Sequence, residues 1–386
     1  MKQIAIKARC LIDGTNRTPI EDAGILVEQG RIKQVGHFED LKNTANSEVL
    51  ELSDLTLLPG LIDAHNHLSL DSSLDDYLQK MSDPLPSLAL RASKMMPLDI
   101  KAGVTTIRCC GDKGFLDVAC RQAVESDYLC GPRLVIAGKG IRSSAGYGYV
   151  GCPYDGPEEI RKAVRENIFM GADFIKFYVT GTVRGRGIPC FLSRDEIKLI
   201  VDEAARMRRK TAVHCIGGKG LEWCLEAGVD AIEHGYFFNN KEIELMLKYG
   251  TWLVMTPGAY FSEDRIRCLP QSHVEAHLRE RDDAIKCMSA AIAAGIPYAV
   301  GTDGVHGKEG IPAEIAYLVE LGAEPAEAIR AATMNASRVC GLEDVTGSLE
   351  TGKDADIIAV NGNPLKDITC LADVKFVMRR GKVMVS

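Results

Sequence analysis

Eight short apolar runs, each followed by a loop and an amphipathic stretch, impose the strongest constraint on what this chain can fold into. They are Leu61 to His65, Val104 to Cys109, Leu134 to Ala137, Phe174 to Tyr178, Ala212 to Cys215, Ala231 to Glu233, Trp252 to Thr256 and Tyr298 to Gly301. Short apolar runs alternating with helical periodicity mark parallel βα units, and eight is the number that closes a (β/α)8 TIM-like barrel. Helix punctuation supports the alternation. Pro157 opens a segment carrying Ile160, Val164 and Ile168 before Gly171, and Ser193 and Glu196 are spaced as a capping box. Gly250 and Gly295 follow the segments 242–249 and 284–294 as C-caps.

The two ends of the chain have a different texture. Residues 1 to about 57 read as short strands and turns, with Ala5 to Ile12, Gly24 to Glu28 and Arg31 to Val35 as strand candidates. Ala355 to Val360, Val374 to Met378 and Arg380 to Val385 repeat the pattern at the far end. The expected fold is therefore α/β: a barrel over residues 58–345, with a small composite β-sandwich domain built from residues 1–57 and 346–386. A chain of 386 residues suits one large barrel plus an appended domain.

A formal charge of −7 leaves no basic footprint, which argues against nucleic acid or an anionic membrane as partner and for a small-molecule substrate. No segment supplies the ~18 apolar residues of a membrane span, and the start of the chain lacks the apolar stretch of a signal peptide, so a cytoplasmic protein is expected. The thirteen cysteines are odd in number and form no CxxC pair, which favours reduced thiols; vicinal Cys109 and Cys110 read as packing residues. A homo-oligomer stays open.

The chemistry concentrates at strand ends. The run Pro59 to His67 closes on His65-Asn66-His67, and residues two apart on a strand face the same side, so two imidazoles can chelate one metal ion. His214 ends Ala212-Val213-His214, His234 ends Ala231-Ile232-Glu233-His234, and Asp303 follows Val300-Gly301-Thr302. Strand C-termini converge on one face of a barrel, which makes neighbours of groups far apart in sequence. The alternative, four core histidines, would crowd imidazoles and a carboxylate without partners. Lys176, flanked by Phe174, Ile175, Phe177 and Tyr178, is an ammonium pointed into the same region or a snorkelling, ion-paired lysine.

These motifs resemble the amidohydrolase superfamily, and within it the binuclear imidazolonepropionase-like and prolidase-like dipeptidase branch. The resemblance rests on Pro59 to His67, Gly103-Val104-Thr105-Thr106, Phe174-Ile175-Lys176, Val213-His214, Glu222 to Gly235, Gly301-Thr302-Asp303 and Gly347 to Ile358. It implies two divalent metal ions, with zinc expected: His65 and His67 bind the first, His214 and His234 the second, carboxylated Lys176 bridges both, and Asp303 contacts the first. It further implies hydrolysis of a carbon–nitrogen bond in a small amide or dipeptide by a metal-bridging hydroxide, with Asp303 as general base.

The surroundings depart from the family pattern. Where Gly-Gly-His-Gly is usual after the third strand, Ser143 to Tyr149 stand here, with Tyr147 in the place of a substrate-orienting histidine. Thr180-Gly181-Thr182 replaces Thr-Gly-Gly, and Arg108-Cys109 replaces Arg-Asp. Candidate substrate groups are Tyr147, Tyr178, Arg184, Arg186, Tyr236 and His306; an arginine can clamp a carboxylate, though each also reads as a solvated loop charge, and His306 also reads as a plain loop residue. Two other readings compete: a mononuclear deaminase or cyclic amidine hydrolase of the same superfamily, and a non-catalytic scaffold. The deaminase places a glutamate three residues after its third histidine, whereas Cys215-Ile216-Gly217 follow His214.

Overall fold

A computed structural model describes residues 3–15, 17–42, 47–148, 150–181 and 187–386. The eight expected strands are all present, as Leu61–Asn66, Val104–Cys109, Arg133–Ile136, Phe174–Tyr178, Lys210–Gly217, Ala231–Phe237, Trp252–Met255 and Tyr298–Val300. Every pairing among them is parallel. The first three form one sheet and the other five a second, which two short strands, Ile141–Arg142 and Cys152–Pro153, extend from the loop after Ile136. Backbone hydrogen bonds cross both gaps between the sheets: Thr302 N and Asp303 N donate to His65 O at 3.0 and 2.8 Å, and Asp173 N donates to Ile136 O at 2.8 Å.

Helices follow the strands where the punctuation puts them. Gly156–Phe169 has its proline in the first turn, and Arg194–Arg206 carries the reciprocal Ser193 and Glu196 capping box. Asn240–Tyr249 ends on Gly250 in the left-handed region, as a C-cap glycine should. The segment before Gly295 is longer than its apolar spacing indicates: the helix runs Gln271–Ala293, because its first turns face the mouth of a cavity and carry polar residues.

The chain ends share one seven-stranded sheet, in the order Lys382–Val385, Val374–Arg379, Ile357–Asn361, Glu48–Pro59, Gln3–Leu11, Ile20–Glu28, Arg31–His37. Glu48–Pro59 joins the two ends, pairing parallel with Gln3–Leu11 and antiparallel with Ile357–Asn361. Its first half is largely exposed and acidic, which is why no clean alternation marks it in the sequence. In a flat sheet the turn at Gly30 and the turn at Gly381 would stand five strand spacings apart, about 24 Å. A Cβ on Gly381 would instead lie 2.5 Å from Gly30 Cα, so the sheet is rolled and its flanks meet. Ile6, Ile25, Ile32, Leu57, Ile357 and Phe376 belong to the apolar cluster of this rolled sheet. No helix among the described residues is long and apolar enough to cross a membrane.

Candidate active site

The strands deliver the expected site residues to one pole. Ring centres of His65 and His67 are 5.4 Å apart, those of His65 and His234 4.7 Å, and those of His214 and His234 4.6 Å. Asp303 Oδ1 lies 3.5 Å from His65 Nε2 and 3.6 Å from His67 Nε2. The ligand atoms of His65, His67 and Asp303 all fall within 4.8 Å of one another, a grouping able to hold a metal ion. Lys176 is fully buried, with Nζ 5.1 Å from the centre of the Tyr178 ring and without a hydrogen-bond partner among the described residues; His65 Nε2 is likewise without one.

Three of the four imidazoles are oriented through their other nitrogen. His65 Nδ1 pairs with Glu233 Oε2 at 2.5 Å, His67 Nδ1 with Gly111 O at 2.7 Å, and His234 Nδ1 with Thr256 Oγ1 at 2.8 Å. Nδ1 contacts of this kind fix ring tilt and present Nε2 to the centre. Glu233 is itself held by Arg108, whose Nη1 donates to Glu233 Oε1 at 2.8 Å and to Ala64 O at 3.0 Å. Asp63 accepts from Asn66 Nδ2 at 2.8 Å and from Thr302 Oγ1 at 2.7 Å, tying the His65 strand to the segment that carries Asp303.

Electrostatics leave three of the four rings neutral, whereas His65, against its burial, is pushed well above the usual range by Cys110, Glu233 and Asp303 around it. Burial pushes His67 down to about 3, and burial together with the charge of Lys176 or of neighbouring rings holds His214 and His234 well below the usual range. Neutral imidazole is the form that offers a lone pair to a metal. Asp303 goes the other way from its burial: that burial would raise its pKa, but the His65 imidazole, 3.5 Å from Oδ1, and the Arg265 guanidinium, 2.9 Å from Oδ2, keep the carboxyl well below the ordinary carboxylate range.

Two of these residues sit in unusual backbone. His234 has φ 75° and Asp303 φ 52°, in the left-handed region that non-glycine residues avoid. On a regular strand Glu233 and His234 would face opposite sides. The left-handed step at His234 lets both reach the centre, Glu233 to His65 and His234 to the rings of His65 and His214. Close approach is also needed at Gly301, where a Cβ would lie 2.4 Å from His65 N.

Above the cluster opens a cavity of about 330 Å³ whose wall includes His67, His214, His234 and Asp303. Tyr147, Tyr178 and Tyr236 line it. Tyr147, from the divergent loop, stacks on His214 with ring centres 4.7 Å apart, and Tyr236 OH contacts Thr256 Oγ1 at 2.5 Å. Arg184 and Arg186 lie outside the described residues, as does Tyr149 at the end of the divergent loop.

His306 does not reach the cavity. Its Nδ1 contacts Asp99 Oδ2 and its Nε2 contacts Leu70 O, both at 2.9 Å, so it clamps the loop after Asp303 to the helix Leu85–Lys101. Burial opposes its charge, but Asp99 and these hydrogen bonds outweigh it and raise the pKa from the usual 6.5 to about 9. A raised pKa means stabilisation that is full below about 6.5 and lost as the pH climbs through about 9. At about 1.4 kcal/mol per unit the loss is on the order of 3 kcal/mol. Urea unfolding across that window should show it in the wild type and not in His306→Gln; an equally steep decline in both would exclude the pair as its source.

The sequence model of the amidohydrolase family matches residues 56–384. The chain belongs to the amidohydrolase family. Ochratoxinase of Aspergillus niger is 30% identical, over 97% of this chain and 85% of that protein. Its crystal structure superposes with a TM-score of 0.89 at 28% identity, covering 100% of this chain and 96% of that one. A Xaa-Pro dipeptidase with methionine bound in its active site superposes with a TM-score of 0.88 at 30% identity, covering 99% of both chains. A 5-methylthioadenosine/S-adenosylhomocysteine deaminase of Bacillus cytotoxicus is 25% identical over 94% of this chain and 86% of its own. This amidohydrolase is thus an enzyme acting on carbon–nitrogen bonds.

Two further residues shape this amidohydrolase site, and the sequence marks them unequally. Glu233 had a usable signal, an acid on an apolar strand beside a histidine, which needs a buried partner. Arg265 had none: it sits in the short helix Glu263–Arg267 among charged residues that read as solvated, yet its side chain is buried against Asp303 and Thr302 O. Cys109 and Cys110 are fully buried, and all thirteen cysteines are free thiols.

Proposed function

We propose that the protein is a binuclear metal hydrolase that cleaves the amide bond of a dipeptide, an N-acyl amino acid or a cyclic amide. Its catalytic unit is read as a closed (β/α)8 barrel over residues 58–345, and residues 1–57 and 346–386 as a β-sandwich, in a protein of the cytoplasm. The observation that carries the reading is the pair of orphaned buried nitrogens, His65 Nε2 and Lys176 Nζ, set among rings held neutral and a carboxylate held ionised. An ammonium buried without a partner is costly, and a lysine carboxylated by carbon dioxide would become an anionic ligand instead.

In this reading His65, His67 and Asp303 hold one divalent ion, His214 and His234 the other, and carboxylated Lys176 both, with zinc the expected metal. Such ions, when bound, polarise the scissile carbonyl and acidify the attacking water. Asp303, ionised and fixed by Arg265 through its far oxygen, takes the proton of the water and hands it to the departing amine. The tyrosine-lined cavity suits an apolar or aromatic acyl or amine group, in keeping with the names of the ochratoxinase and dipeptidase relatives. A deaminase is the weaker reading, since no carboxylate follows His214 within three residues.

Protein purified without chelator should carry about two divalent ions per chain by elemental analysis and hydrolyse members of a panel of dipeptides, N-acyl amino acids and cyclic amides. One ion per chain, with release of ammonia from amino-purines and no amide cleavage, would replace this reading with the deaminase.

A further inference from the structure

The barrel is hollowed from both ends. At the pole opposite the active site, where Lys210–Gly217, Ala231–Phe237 and Trp252–Met255 begin, lies a second cavity of about 320 Å³. Arg108 reaches it from within, although the residue is 1% exposed. Its guanidinium rests on the Phe174 ring at 4.2 Å and uses only Nη1 for hydrogen bonds, to Ala64 O and Glu233. Nε has no partner, and no described residue accepts from Nη2. That leaves the Nε and Nη2 edge, the side that pairs with two oxygens of one anion, without an acceptor inside the protein.

The remaining wall favours the same ligand. Lys210 brings a second cation at the mouth; its Nζ donates to Arg338 O at 2.7 Å and retains two further N–H groups. The one carboxylate there, Asp230, is turned to Thr211, accepting from its N at 2.8 Å and its Oγ1 at 2.9 Å, and forms no ion pair with Arg108. Tyr249 and Trp252 supply apolar sides.

We infer that this second cavity is a binding site for a small oxyanion, a carboxylate or an inorganic oxyanion, seated on the free edge of Arg108 and closed by Lys210. The same guanidinium holds Glu233 and through it His65, so the anion at the base and the active site share one arginine. The binding claim does not depend on the metal ligands assigned above.

Selenate serves as probe because its anomalous scattering reports where it sits. Crystals of the intact, metal-loaded protein soaked in selenate should show a peak in hydrogen-bond reach of Arg108 Nε and Nη2, separate from any at the metal pole. Calorimetry in solution should find this site weakened at least tenfold in Lys210→Glu, a substitution at an exposed strand end, with the melting temperature of the variant unchanged in the absence of anion. Displacement of the peak by acetate assigns the site to carboxylates, and resistance assigns it to inorganic oxyanions. Selenate confined to the metal pole, or equal affinity in Lys210→Glu, would overturn the inference.

Discussion

Replacing Lys176 with alanine is expected to drop the metal content from about two ions per chain to one or fewer and to lower turnover by at least about 10²–10³-fold. The basis is that Lys176 has no other evident purpose where it lies. It is fully buried on the strand Phe174–Tyr178, its Nζ meets no acceptor among the described residues, and its charge would repel cations and protonated rings alike. Carboxylation, as proposed above, would convert this liability into a shared ligand. A second measurement separates ligand loss from misfolding: metal-free Lys176→Met should melt above metal-free wild type, because an apolar side chain of similar reach replaces an unpaired buried ammonium. Labelled bicarbonate should give a carbamate carbon signal in the metal-loaded wild type and none in either variant. Two ions retained in Lys176→Ala would remove lysine from the centre.

For Asp303→Asn the expected result is a folded, metal-containing protein whose kcat falls by about 10²–10⁴-fold. Asparagine keeps the shape and can still accept from Arg265, and Arg265 also retains its bond to Thr302 O at 2.8 Å, so little stability should be lost. What disappears is a carboxylate held ionised by His65 and Arg265 despite its burial. Metal content near the wild-type value together with the fall in kcat assigns the loss to proton transfer. Unchanged kcat would rule out Asp303 as the base.

Much of this was legible before any coordinates. Period-two spacing put His65 and His67 on one face, and the strand-end positions of His214, His234 and Asp303 placed them on one pole, because parallel βα units align all their strand C-termini. The capping box at Ser193 and the glycine after Tyr249 are local chemistry that a helix needs wherever it packs, so they too could be read directly. The strand Glu48–Pro59 was not distinguished, because half of it carries no buried face to imprint an alternation. His306 read either as a substrate group or as a plain loop residue; its place as a buried clamp on Asp99 is a contact across 207 residues that no local pattern encodes.

What the sequence determined by itself, then, is the parallel α/β framework and which strand ends bear ionisable side chains, since both follow from periodicity and residue type within a few positions. The tertiary structure alone decided how those side chains are aimed and charged. The left-handed step at His234 turns two adjacent residues to one centre, and Glu233 and Arg108 brace His65 from other strands. Arg265 arrives from a helix that reads as solvated. Orientation and pKa depend on dihedral exceptions and on burial among groups remote in the chain, and both exist only once the strands are packed.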